Sequence, residues 1–340
     1  MKRCIQLAKN GLGSTYPNPL VGSVIVYEGQ IIGEGWHQKA GQAHAEVNAI
    51  NSVKDKSLLK KATIYVSLEP CSHFGKTPPC SDLIIKHGIP NVIIGTVDPN
   101  SKVAGKGIQK LIESGKKITV GILEAECNEL NKRFFTFQNK KRPYIILKWA
   151  ESEDGFISPA ERVEQRPVWI TNSYSRQLVH KWRSEEQAIL VGTETVIADN
   201  PKLNIRDWVG TAPTRIVIDR NNRISKESYI FDNTQKTLIF TTTEFGDEKN
   251  SNQFIKIENN DAIAEQIVNN LHENDIQSVI IEGGSKTLQI FIDSNLWDEA
   301  RIFKGTLVFK KGTKAPILCK KINKKQTILK DELIILRNYD

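Results

Sequence analysis

The segment Ala62-Thr63-Ile64-Tyr65-Val66-Ser67, continuing through Glu69-Pro70-Cys71-Ser72-His73-Phe74-Gly75-Lys76-Thr77-Pro78-Pro79-Cys80 into Ser81–His87, decides the fold of the first half of the chain. The opening run is apolar and β-branched and reads as a short strand. The loop after it is polar and rich in proline. The residues from Ser81 read as a helix that Gly88 stops. The same alternation extends to both sides. Val21–Tyr27 and Gln30–Gly35 read as a hairpin turning at Glu28-Gly29, and His44–Ser52 as a helix. Asn91–Gly95 and Ile118–Gly121 read as strands, with a helix at Gly105–Ser114 between them and another at Lys2–Asn10. Alternating strands and helices predict an α/β fold, a sheet covered by helices.

The stretch Gln138-Asn139-Lys140-Lys141-Arg142-Pro143 is polar and basic and ends in proline, which marks a domain boundary. The pattern then restarts. Tyr144–Trp149, Ala188–Val191, Arg215–Asp219, Thr237–Thr241 and Ser278–Glu282 read as strands, and Ser173–Trp182 and Ile263–Leu271 as helices between them. With 340 residues the chain is long for a single core. Two domains are expected, 1–140 and 144–340.

Composition narrows the function. Hydrophobic residues are 39% and charged residues 25%, an ordinary globular balance. No apolar run is long enough for a bilayer and no signal core follows Met1, so a cytoplasmic protein with no membrane partner is expected. Five cysteines, an odd number in a long chain, argue against a disulfide scaffold. The net charge is +8, much of it in lysine pairs near the C-terminus. No aromatic residues interleave with those lysines as in a nucleic-acid platform, so a solvated surface is the simpler reading.

The sharpest chemical feature is His44-Ala45-Glu46 together with Cys71 and Cys80. Zinc deaminases of nucleobases use one His and two Cys as ligands, with a nearby Glu that does not ligate. Three protein ligands leave a fourth position for water, whose pKa the metal lowers to about 7. The Glu takes the proton and returns it to the leaving amine. His44 opens one expected helix and Cys80 immediately precedes another, and helix N-termini favour thiolate. Residues two apart do not share a face of a regular helix, so His44 and Glu46 can meet only around the first turn. A structural zinc with His73 as fourth ligand is the rival arrangement. It does not account for a carboxylate beside the ligand histidine.

The segment Pro70-Cys71-Ser72-His73-Phe74-Gly75-Lys76-Thr77-Pro78-Pro79-Cys80, with Tyr16-Pro17-Asn18-Pro19-Leu20-Val21-Gly22 and Gly35-Trp36-His37-Gln38-Lys39-Ala40-Gly41, resembles the bifunctional riboflavin-biosynthesis deaminase–reductase family. The resemblance runs over nearly the whole chain and begins within the family's first helix. It implies a cytidine-deaminase-like α/β/α sandwich followed by a dihydrofolate-reductase-like α/β domain. It implies zinc-dependent deamination of a diaminopyrimidinone ribosylamine 5'-phosphate to the uracil form. NADPH-dependent reduction of the ribosyl group to a ribityl chain then follows. Asn18, His37, His73 and Lys76 would hold the deaminase substrate, with Asp98 and Asn100 facing its ribose.

In the second half the resemblance implies Lys148 as a catalytic residue. It places Arg183, Leu203, Arg206 and Glu282 at the substrate, with Arg183 and Arg206 on its phosphate and sugar. Trp169, Thr171, Thr195, Asp199, Arg220, Gly283, Gly284 and Ser285 would contact NADPH. Arg220 and Arg223, just after a strand, suit the 2'-phosphate and a preference for NADPH over NADH. The departures are Glu151-Ser152-Glu153-Asp154-Gly155, where the family has Ala-Ser-Leu-Asp-Gly, and Pro167 and Arg220. The expected partners are a phosphorylated pyrimidine and further copies of the chain, with no nucleic acid. Two alternatives stand beside this reading: a zinc deaminase with an altered second domain, and a nucleic-acid base deaminase.

Overall fold

Strand β1 (Gly22–Tyr27) passes into β2 (Gln30–Trp36) through Glu28 and Gly29, with φ of 48° and 76°. Two successive positive φ values are what a tight two-residue hairpin needs. β3 (Thr63–Leu68) pairs antiparallel with β1, and β4 (Asn91–Thr96) and β5 (Lys117–Val120) follow it in parallel. The sheet order is β2-β1-β3-β4-β5. This is a computed structural model, describing residues 1–72, 74, 78–99, 104–162, 164–243 and 251–338. It divides into two units, Met1–Lys141 and Arg142–Asp340.

In the first unit α1 is Lys2–Ala8, α2 is Ala45–Ser52, α3 is Cys80–Lys86 and α4 is Lys106–Glu113. Ala49, Ile50, Ile84 and Leu111 from α2, α3 and α4 pack on Ile25, Ile64, Val66, Val92 and Ile94 of the sheet. On the other face Cys4 and Leu7 of α1 meet Val24. There too α5 (Glu124–Leu130) comes so close that a Cβ on Gly95 would lie 2.4 Å from Cys127 Sγ. The result is a helix–sheet–helix sandwich.

Two helices, α5 and α6 (Lys132–Lys140), arise where the sequence reading has none. Asn131 separates them. Its side chain accepts from Leu20 N–H (2.8 Å) and donates to Leu20 O (2.9 Å), and so fastens the loop that carries Asn18. The stretch read as a linker from Gln138 is therefore helical to Lys140, and the chain leaves the helix at Lys141 with φ 53°.

The second unit is built on β6 (Tyr144–Glu151), β7 (Phe156–Pro159), α7 (Ser173–Glu185), β8 (Ala188–Gly192), α8 (Thr193–Asp199), β9 (Thr214–Ile218) and β10 (Thr237–Thr241). It continues with β11 (Asn252–Lys256), α9 (Ile263–Glu273), β12 (Ser278–Ile281), α10 (Ser285–Asp293), β13 (Glu299–Lys304), β14 (Gly312–Lys314), β15 (Ile322–Ile328) and β16 (Asp331–Arg337). Nine strands form one sheet in the order β11-β10-β9-β8-β12-β6-β13-β16-β15. β11 through β13 run parallel, and β16 and β15 close the far edge antiparallel. The strands buried on both faces are near-continuous apolar runs, as parallel sheets require. Ile267, Leu271, Leu288 and Phe291 cover one face, and Val179 and Trp182 of α7 pack on the other.

Candidate active sites

In the first unit, β3 ends at Leu68 and the chain turns into the loop that carries Cys71, while Cys80 is the first residue of α3. His44 is the N-cap of α2, with extended backbone (φ −72°, ψ 166°). That geometry lets His44 and Glu46 share a site although they are two residues apart. His44 points back from the cap while Glu46 sits in the first turn. His44 Nδ1 lies 3.6 Å from Cys71 Sγ and 3.3 Å from Cys80 Sγ, and the three ligand atoms fall within 4.8 Å of one another. Zn–S near 2.3 Å and Zn–N near 2.0 Å at tetrahedral angles place S and N about 3.6 Å apart. The donor set and its spacing fit zinc.

The electrostatics fit as well. The Cys80 thiol, Cys80 N–H (3.3 Å) and His44 all favour the thiolate of Cys71, and together they pull its pKa down despite burial. Glu46 is 3% exposed, and burial, reinforced by the charge on Cys71, pushes its carboxyl up to about 7. A carboxyl near neutrality can both accept and return a proton.

Asn18 and His37 stand beside the ligands. His37 Nδ1 is 3.1 Å from Ala43 O, and its Nε2 is 3.1 Å from Asn18 Nδ2. The ring therefore donates to the carbonyl and accepts from the amide. The His37 and His44 rings meet edge to face at 5.3 Å. Asp98 is buried past the end of β4. His73, Lys76 and Asn100 lie outside the described residues.

A group without an assigned role in the sequence reading is Glu69. It is 4% exposed and accepts four backbone N–H groups: Asp98 (3.3 Å), Gly105 (3.0 Å), Gly107 (2.9 Å) and Ile108 (3.3 Å). It thereby caps α4 and ties the Pro70-Cys71 loop to the segment that carries Asp98. The only sequence signal is its place in Glu69-Pro70-Cys71.

In the second unit the residues gather at the carboxyl ends of β6, β8, β9 and β12, where open α/β sheets bind ligands. Glu282 follows β12 and takes both Arg183 Nε (2.9 Å) and Nη2 (2.8 Å), with Lys148 Nζ at 3.5 Å. Burial would raise the Glu282 carboxyl, but Arg183 and Lys148 outweigh it and hold it at about 2. Burial, aided by Arg183, pulls Lys148 below the ordinary lysine value against the opposing charge of Glu282. His180, which the sequence reading passes over, accepts from Arg206 N–H at Nδ1 (3.3 Å). Burial and then Arg183 and Arg206 lower it to about 4, so it is neutral near pH 7.

Gly283 and Gly284 continue from Glu282 into α10. A Cβ on Gly283 would lie 2.8 Å from Thr195 Oγ1, and Gly284 has φ 69°. Ser285 opens the helix. A glycine turn closed tightly on α8 and running into a helix N-terminus fits a dinucleotide phosphate. Trp169 is half exposed, and Thr171 precedes the α7 cap Asn172.

Four further residues named from the sequence have partners within the chain. Leu203 (φ 51°) buries its side chain against Val196 and Val217, so only its backbone can meet a ligand. Asp199 pairs with Arg162. Arg223 pairs with Glu194 at 2.5 Å, and Arg220 donates to Asn259 (3.3 Å). The departures after β6 are accommodated locally. Glu151 accepts from Trp149 Nε1 (2.9 Å), and Asp154 accepts from Ser152 Oγ (2.6 Å) and Lys310 N–H (2.7 Å).

Comparison with known proteins agrees over both units. Residues 1–96 match the cytidine and deoxycytidylate deaminase zinc-binding region, and residues 143–335 match the RibD C-terminal domain. Riboflavin biosynthesis protein RibD of Aquifex aeolicus is 40% identical over 311 residues, which is 89% of this chain and 85% of that protein. The protein of the same name from Actinobacillus pleuropneumoniae is 39% identical over 93% of this chain and 86% of its own length. A Thermotoga maritima diaminohydroxyphosphoribosylaminopyrimidine deaminase/5-amino-6-(5-phosphoribosylamino)uracil reductase superposes with a TM-score of 0.90 at 38% identity, covering 99% of this chain and 97% of that one. Acinetobacter baumannii RibD superposes at 0.88, with 31% identity, over 100% and 98%. With the ligand geometry and matches that span both units, the chain belongs to the RibD family of riboflavin biosynthesis, bifunctional proteins that join a zinc-binding deaminase domain to a reductase domain.

Proposed function

We propose that His44, Cys71 and Cys80 hold one zinc ion and that Glu46 is the proton shuttle of the deaminase. The substrate is the 2,5-diamino-6-(5-phosphoribosylamino)pyrimidinone, and the product is the corresponding uracil. The observation that carries this is the convergence of three ligand atoms within 4.8 Å beside a buried carboxyl. Zinc, when bound, supplies an activated water to the ring carbon that bears the amine. Glu46 takes the proton from that water and delivers it to the departing ammonia. Asn18 and His37 border the metal site and orient the pyrimidine edge.

In the second unit we infer reduction of the ribosyl group of the deaminated compound. NADPH, when bound, supplies the reducing equivalent, with its phosphates on Gly283, Gly284 and Ser285 and its nicotinamide side near Trp169, Thr171 and Thr195. Lys148, desolvated and held by Glu282, donates a hydrogen bond or proton to the sugar as it opens. The setting is cytoplasmic and the ligands are small molecules.

The test is to supply the diaminopyrimidine phosphate with and without NADPH, following ammonia and NADPH separately. Ammonia is expected in both arms and NADPH oxidation only where deamination proceeds. NADPH consumed with no ammonia released would overturn the order of steps. Purified chain is expected to carry one zinc, and a Cys80→Ser variant with full zinc would overturn the ligand assignment.

A further inference from the structure

Between the end of β2 at Trp36 and the α2 cap His44 the chain makes a loop, residues 37–43. His37 stands at its start and His44 follows its end. Gln38, Lys39, Gly41 and Gln42 are exposed, so burial does not hold the middle of the loop. A polar surface connection of this kind does not by itself keep two histidines at a fixed spacing.

Asn48 supplies the missing constraint. It lies inside α2, where asparagine is a poor helix former, so helix stability does not explain it. Its amide NH2 carries two donors. Nδ2 donates to the Trp36 carbonyl (2.8 Å) and to the Ala43 carbonyl (3.4 Å). These are the carbonyls immediately before His37 and immediately before His44, so one side chain staples both ends of the loop. Close packing keeps it there: a Cβ on Gly35 of β2 would lie 2.6 Å from Asn48 Cβ.

The Ala43 carbonyl has a second lone pair, and His37 Nδ1 donates to it (3.1 Å). With its proton committed there, the ring offers Nε2 as an acceptor, and Asn18 Nδ2 donates to it (3.1 Å). His37 is buried, which keeps solvent from competing for either nitrogen. The orientation of the Asn18 amide therefore traces back through His37 and Ala43 to Asn48.

We propose that Asn48 is a positioning residue of the deaminase site: it fixes the spacing between the His37–Asn18 pair and the ligand His44, and with it the place of the pyrimidine edge relative to the metal. This rests on the reading of the first unit as the deaminase. Asn48 acts through two backbone carbonyls and not on the substrate. Without the staple the His37 ring is free to exchange tautomers and the Asn18 amide to turn. Misplacing a reactant by about 1 Å can cost on the order of 10²-fold in rate.

The test uses the full-length, zinc-loaded chain and the diaminopyrimidine phosphate. Asn48→Ala should keep its zinc and lose at least about tenfold in kcat/KM for ammonia release. In an Asn18→Ala background the same substitution should cost less than about twofold, because its effect runs through Asn18. Asn48→Ser keeps one donor for two carbonyls and should fall between wild type and Asn48→Ala; it carries the same cycle if the alanine variant does not fold. An unchanged kcat/KM, a full additive loss in the Asn18→Ala background, or zinc lost in proportion to activity would each overturn the proposal. Nitrogen-15 spectra of labelled histidine read the staple without turnover. Wild type should show His37 as the single Nδ1–H tautomer, and Asn48→Ala a mixture. One tautomer in both proteins would refute the staple. A mixture in Asn48→Ala, with no ammonia released by wild type, would refute the deaminase reading and leave the staple standing.

Discussion

In the N-terminal unit the proposed zinc ligands and proton shuttle come from two short stretches: His44 to Glu46 at the start of α2, and Cys71 to Cys80 between β3 and α3. In the C-terminal unit Lys148 comes from β6, Arg183 from α7, Arg206 from a loop and Glu282 from the end of β12. In the first arrangement helix N-termini aim His44 and Cys80, while Cys71 sits in the loop that Glu69 ties to α4. The second is fixed by charges that hold one another across the sheet. Withdrawing one charge should therefore cost the reductase-type site more than loosening one loop tie costs the metal site.

The most severe break of that contrast is Glu282→Ala. It leaves Arg183 and Lys148 buried without their counter-charge, and removing one partner of a buried pair costs about 3–5 kcal/mol. Denaturant unfolding of the full chain should show the loss in the second unit, with ammonia release from native protein unaffected. A stability loss under about 1 kcal/mol would mean the two cations are better solvated than the geometry indicates.

Glu69→Gln probes the first unit more gently. One acceptor oxygen becomes an amine facing backbone N–H groups, at a cost of roughly 1–3 kcal/mol. Zinc affinity should weaken with it, because the Cys71 loop loses its tie to α4. Unchanged stability and unchanged zinc binding would show that the cap is incidental.

The smallest effect is acidic. His180 is held at about 4, below the ordinary histidine value near 6.5. Between these values the unfolded chain binds the proton and the folded chain does not. Stability of the second unit should therefore fall as pH drops from about 6.5 toward 4 and stay level above it. His180→Gln should flatten that slope, and an equal slope in both proteins would remove His180 from the account.

The same contrast governs what could be read in advance. His44, Cys71 and Cys80 are legible because their chemistry and spacing are confined to short segments next to helix starts. Glu69 is not, since its four donors come from the distant segment 98–108. In the second half the apolar parallel strands are legible, but β13 carries Glu299 and Arg301 into the interior as a bonded pair (2.6 Å), which hides its strand pattern. The exposed edge strand β15, Ile322–Ile328, has no apolar face to betray it. Leu203 has its side chain in the core, so any contact it makes with a ligand is through its backbone, which sequence position alone does not reveal.

The most direct measurement is made on Glu46→Gln, which keeps the shape of the side chain and all three metal ligands. Zinc content, ammonia release from the diaminopyrimidine phosphate and NADPH oxidation with the already deaminated compound are followed in parallel. The expected result is full zinc, ammonia release reduced about 10²–10⁴-fold, and NADPH oxidation at the wild-type rate. Loss of NADPH oxidation in folded, zinc-loaded protein would contradict the account, because the two chemistries would then share one site.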